Sequence, residues 1–557
     1  MYQINRRSQM KKIINFIAGA LITLLIVTSC QPRYVIIPIP SKPSAGETTS
    51  INNVAELRAF LEKSGTGKAI VSNLVINPDT DELPITVNGT KEIEGSLYVG
   101  NISSYAVNIS ANTQEPDATT AVFYVPAGAV MNLNNLSAAI SEEAVSSVST
   151  LIEVDTGNIA LDNVSITVPN SINTTQFSTI KATENTKSDN ISISTSENVS
   201  VFIPENNTDE SLKEEIESSG TAIATPYDSY SADEIMSNLT EYGKARLVED
   251  LSITSEVFNL TPADSTEFET LILDLNKHNL SIKNTLTNTS SSVLTDLEIM
   301  NGSMTVNITS NNLAASCISI ASDVHLTFTN VDYHASHTGI FLSEYGNASF
   351  TAIDSEIISD GGYGIGTNAK NSPITSYIDL SNTIVRTDDP SGTAGILFNS
   401  KGTLKITNGS EIEGSQQAVV VRGGDITISD SKLFCNGGFV VSDETQYRYT
   451  TAWGQGNDVP YATLVVGNRS DSDAYDYPTT CTVSNTEITM KINEGNSKAT
   501  RVYISSDDDN TVTLNIDNSE LATNIETGKH YWGLKTYVNK KQMPVDESGN
   551  PSDSITK

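Results

Sequence analysis

Five histidines and a few tight groups of acids are the residues in this chain best suited to chemistry. Asp332, His334 and His337 fall close together, with Tyr333 between the first two. Imidazoles at that spacing could share a metal ion or move a proton, and loop histidines on a polar turn account for them equally well. Asp354, Glu356 and Asp360 follow, just before Gly361-Gly362. Carboxylates so placed could act as an acid and base pair. Strand alternation and turn composition also explain them without catalysis. Asp388-Asp389 and Asp507-Asp508-Asp509 offer oxygens to calcium, a hard ion, yet lack the spaced donors of a defined loop. No CxxC pair exists, so a zinc site is not expected. These groups give no reason to expect a metal or a cofactor.

Aromatic residues are better candidates for binding. One polar stretch, 443–460, carries Tyr447, Arg448, Tyr449 and Trp453; a second, 468–478, carries Tyr475 and Tyr477 among aspartates. Rings held on a rigid frame suit stacking on sugar faces or contact with another protein. Tyr447, Tyr449, Trp453, Tyr475 and Tyr477 are therefore the expected ligand-binding residues.

The frame is legible in the stretch 339–441. Short apolar runs recur there, each after a small residue: Gly339-Ile340-Phe341-Leu342, Gly364-Ile365-Gly366, Gly395-Ile396-Leu397-Phe398, Ala418-Val419-Val420-Val421 and Gly438-Phe439-Val440-Val441. The markers Ile340, Ile365, Ile396, Val419 and Phe439 are 25, 31, 23 and 20 residues apart. Between the runs lie alternating stretches such as Leu404-Lys405-Ile406-Thr407, followed by Asn-Ser or Asp-Ser turns. A repeat of that length built from strand and turn is a solenoid. The small residues suit tight corners. The Asn and Asp turns suit corners in the left-handed conformation. In architecture and turn style the chain resembles the right-handed parallel β-helices of the pectin-lyase-like superfamily. Lyases of that group use clustered aspartate calcium ligands with an Arg or Lys base. Its hydrolases use close aspartates with Gly-His-Gly and Arg-x-Lys motifs. Neither set is found here, so the chain is expected not to be an enzyme.

Two matching helix starts suggest two rods. Asn53, Glu56, Leu57, Leu61 and Gly65 recur as Ser231, Glu234, Ile235, Leu239 and Gly243 at a constant offset of 178. Each set has an N-cap, an acid three residues on and one apolar face. Such a helix would cover the open end of a β-helix. The expected organisation is a first β-helix over 51–205, an acidic linker over 206–227, a second β-helix over 228–540 and a polar tail over 541–557.

The N-terminal region resembles the signal of bacterial lipoproteins. Arg6, Arg7, Lys11 and Lys12 precede an apolar run that ends in Val27-Thr28-Ser29-Cys30. The resemblance implies removal of 1–29 and lipids on Cys30, which together hold a protein firmly on a membrane. Residues 30–50, with four prolines, read as a tether. Gln31 rather than Asp after the cysteine favours the outer membrane, with the face left open. The net charge is -34, which argues against a nucleic-acid partner. Cys317, Cys435 and Cys481 are expected as small buried hydrophobes; a Cys435–Cys481 bridge stays open. The expectation is a monomeric, lipid-anchored envelope protein for adhesion or glycan binding. The alternatives are a carbohydrate-active lyase or hydrolase with a divergent site, and a structural spacer.

Overall fold

A computed structural model describes residues 48–100, 121–169, 172, 176–194, 196–219, 221–263, 267–311, 315–368, 374–388, 394–436, 462–467, 478–491, 500–504, 512–517, 531–532, 536–543 and 552–553. Cys30, Tyr447, Tyr449, Trp453, Tyr475, Tyr477 and the acidic run 507–509 lie outside these residues. The described chain is mostly strand, paired in parallel apart from two short antiparallel pairs near the C-terminus. It divides into two compact units, Met1–Pro226 and Tyr227–Lys557.

The first unit joins a seven-stranded and a six-stranded sheet. In the smaller sheet Phe123 pairs with Ile152, Ile152 with Ile180, and Ile180 with Val201. All four are fully buried, each side chain stabilising by roughly 1.5–3 kcal/mol. Helix α1 (Val54–Glu62) begins at Asn53, whose side chain accepts from Glu56 N at 2.9 Å. Glu56 reaches back to Asn52 N at 2.8 Å. Leu57 and Leu61 are buried in the first core.

The structure corrects the reading of 206–227 as a linker. Helix α2 (Glu210–Ser218) buries Leu212 and Ile216 in the first core, and the strand Ala222–Ala224 pairs with Ser200–Phe202. Two apolar residues four apart were enough to dock this acidic helix. Residues 48–50, expected to belong to a tether, lie instead in the strand Thr48–Ile51, which pairs with Gly67–Ile76.

In the second unit helix α3 (Ala232–Tyr242) is capped by Ser231, which accepts from Glu234 N at 3.2 Å. Gly243 ends it in the left-handed conformation. A twenty-stranded and an eight-stranded sheet follow. The large sheet turns its corners at an Asn or Asp with positive φ, inside one strand at Asn330 (57°) and between two strands at Asp354 (51°), Asn382 (48°), Asn408 (56°), Asp430 (50°) and Asn485 (45°). Their side chains also bond between coils, as Asn382 Nδ2 does to Asp354 Oδ1 at 2.6 Å.

The small glycines do another job than expected. A Cβ on Gly339 would lie 2.5 Å from Gly364 O, and one on Gly395 would lie 2.7 Å from Glu413 O. Close stacking of coils, not a left-handed turn, requires them.

Ile340, Ile365, Ile396 and Val419 form one inward column in the small sheet. The next member is Leu464, not Phe439, which lies outside the described residues. In the large sheet Leu326, Phe350, Ile378, Leu404, Ile426, Cys481 and Leu514 align. Cys435 sits in another column, between Gly414 and Met490. All three described cysteines are buried thiols outside any disulfide.

Candidate functional site

Local folding decides which residues of 331–337 face water. The strand Val324–Ala335 bends at Asn330, after which Val331, Tyr333 and Ala335 are buried and Asp332 and His334 are exposed. Tyr333 fixes that choice. Its ring meets Phe328 edge-on at 5.6 Å, and its hydroxyl donates to Gly339 O at 3.0 Å. Full burial pushes its phenol well above the usual range, so it stays a neutral donor.

Stacking then brings distant residues to this face. Asp332 pairs in register with Glu356, and Glu356 with Ile384. His334 pairs with Ile358, Ile358 with Arg386, and Arg386 with Glu413. Neighbouring strands lie ~4.8 Å apart, so these side chains form two outward columns. His334 reaches diagonally to Asp360, with Nε2 2.9 Å from Oδ1. A carboxylate oxygen accepts, so Nε2 carries a proton, and in its neutral form the ring offers Nδ1 as a base. Both side chains are about half exposed, 49% and 55%. A base held by a carboxylate is the arrangement general acid–base chemistry uses.

The other charges of the face are committed elsewhere. Arg386 Nε lies 3.0 Å from Glu413 Oε2, and its Nη1 lies 3.6 Å from Glu356 Oε1. Asn436 donates to the second oxygen of Glu413 at 2.9 Å. Lys432 pairs with Glu411. These partly exposed pairs contribute little each to stability and hold the columns in place.

The sequence-derived groups are taken apart by the structure. His337 does not join His334. It is buried, with Nδ1 2.9 Å from Ser336 Oγ and Nε2 3.2 Å from Ser310 O. Among the described residues no group of three or more His, Cys, Asp or Glu could hold a metal ion. Asp354, Glu356 and Asp360 do not converge either. Asp354 holds a corner, Glu356 faces Arg386, and Asp360 holds His334. The His334–Asp360 pair, 26 residues apart, was missed because each partner was weighed with its chain neighbours. Its signal was that separation, close to one coil.

No family model matches the chain, and no curated protein does. A solved structure, the crystal structure of the periplasmic alginate epimerase AlgG, is similar to it at a TM-score of 0.17 and 9% identity. The match covers 84% of this chain and 83% of that one. The expectation that the chain is not an enzyme is withdrawn, because it rested only on two missing motif sets. Missing motifs are poor grounds for exclusion in a stack, where partners come from different coils.

Proposed function

We propose that this chain is a cell-envelope β-helix protein, lipid-anchored at Cys30, that acts on a polymeric carbohydrate through His334 and Asp360. In this reading it comprises two tandem β-helical rods, each begun by a short covering helix, α1 and α3. The observation that carries the proposal is the exposed His334–Asp360 pair on a long, regularly repeating face. A surface repeating every ~4.8 Å suits an extended polymer better than a small molecule.

His334 Nδ1 takes or gives the proton, and Asp360 holds the ring and stabilises its charged form. Asp332 adds a further carboxylate beside the pair, while Glu356 is set against Arg386. That local excess of acid disfavours a polyanion and favours a neutral or cationic glycan. The test is turnover of a polysaccharide panel by the purified protein, its His334→Gln variant and its Asp360→Asn variant. Turnover of a neutral or amino-sugar polymer, reduced about 10²-fold or more by His334→Gln, is expected. Binding without turnover, or turnover untouched by both changes, overturns the assignment. For the anchor, Cys30→Ala should move the protein from the membrane to the soluble fraction; retention on the membrane refutes it.

A further inference from the structure

A hydroxyl-and-base arrangement lies two residues along the chain from His334 and plays no part in the carbohydrate reading. Ser336 directly follows the strand Val324–Ala335 and is partly exposed. Its Oγ is 2.9 Å from Nδ1 of His337. The opposite nitrogen of His337, Nε2, is 3.2 Å from the carbonyl oxygen of Ser310. A carbonyl can only accept, so Nε2 carries a proton, and in the neutral ring Nδ1 then presents its lone pair. The Ser336 hydroxyl therefore donates to Nδ1. On its other side Ser336 Oγ accepts from Ile308 N at 3.1 Å, and Ser336 N is tied to Val306 O at 3.1 Å. Hydroxyl, base and fixed orienting acceptor stand in the order that activates a nucleophile.

We propose that Ser336 is a nucleophile activated by His337, for acyl transfer from a small O-acyl ester. The acyl group is small because the wall beside the hydroxyl is closed. Ile308 is almost fully buried there, and Cys317 Sγ lies 3.7 Å from Ser336 Oγ. Burial pushes the Cys317 thiol up, so it stays an unreactive S–H rather than a competing thiolate.

The step balances without any other reactant than water. Ser336 Oγ attacks the ester carbonyl carbon as its proton passes to His337 Nδ1. The tetrahedral adduct collapses, the ester C–O bond breaks, and His337 returns the proton to the leaving alcohol oxygen. Water then attacks the acyl-Ser336 carbonyl, again giving a proton to Nδ1. The acid leaves, and Oγ takes the proton back. Throughout, Nε2–H stays on Ser310 O.

The test needs no polysaccharide, so its outcome is separate from that of the glycan assay. The purified full chain is treated with an alkyl fluorophosphonate and read by intact mass and peptide mapping. p-Nitrophenyl acetate hydrolysis is followed in parallel. A single adduct on Ser336 is expected, absent in Ser336→Ala and formed at least about 10²-fold more slowly in His337→Gln. An unlabelled wild-type chain overturns the proposal without recourse to any variant. So does an adduct on another residue, or labelling at an unchanged rate in His337→Gln.

Discussion

Replacing Asn382 by alanine should destabilise the second unit by about 2 kcal/mol. Asn382 sits at a coil corner with φ 48°. There a Cβ-bearing residue without a short polar side chain pays about 1–2 kcal/mol for the left-handed conformation. Its Nδ2 also donates to Asp354 Oδ1 at 2.6 Å. That bond has a charged acceptor but is solvent-exposed, so its loss costs ~0.5–1 kcal/mol. Glycine removes the conformational cost but not the lost bond, and adds ~0.5–1 kcal/mol of unfolded-chain entropy. Asn382→Gly should therefore fall between wild type and Asn382→Ala. Thermal melts followed by circular dichroism resolve this, since 1 kcal/mol shifts the midpoint of a large domain by about 2–4 °C. If alanine proves as stable as glycine, or more so, the corner is not held by left-handed geometry and the reasoning fails.

Other outcomes follow from the same packing. Cys317, Cys435 and Cys481 are buried thiols outside any disulfide, and burial pushes the Cys481 thiol up to about 12. Iodoacetamide should spare all three in the folded protein and modify them on unfolding in guanidinium; rapid labelling of Cys481 under native conditions contradicts its place in the core column. Gly414→Ala should cost about 3 kcal/mol or prevent folding, because the added Cβ would lie 1.7 Å from Gln417 O; an unchanged denaturation midpoint contradicts the close approach. Hydrogen bonds that Lys68 donates to Glu92 and Glu94 raise its pKa above 10.5. A raised folded value stabilises fully below the unfolded pKa and is lost as pH climbs past the folded one. The melting difference between wild type and Lys68→Met should be flat from about pH 7 to 10 and shrink above that; a difference that grows at high pH refutes the pairing.

Much of the fold was legible in the residues, and the reasons are physical. Alternation along Leu404-Lys405-Ile406-Thr407 predicts one buried face, and Leu404 and Ile406 are both fully buried. The corner residues were legible because few side chains other than Asn and Asp accept positive φ. The helix starts were legible because a capping box is local. Residues 210–218 were misread because their acidic composition hid the two apolar residues, Leu212 and Ile216, that dock them. The site was harder. Which side of a strand His334 faces follows from Tyr333 finding a buried partner. Which carboxylate meets it depends on the register of the next coil. Neither is a property of chain neighbours.

The column that runs through Ile396, Val419 and Leu464 counts coils rather than residues. From Ile396 to Val419 is 23 positions; from Val419 to Leu464 is 45. Both steps join the same two faces of adjacent rungs. Closing a longer connection is cheap, at about 0.6 kcal/mol for each doubling of its length. The scaffold is therefore nearly indifferent to how much polypeptide is spent between one rung and the next. The hydrogen-bonded wall keeps its order across both steps, since Ile396 pairs with Val419 and Val419 with Leu464 in parallel register. Such a protein can change what it displays at that level without renegotiating how it folds.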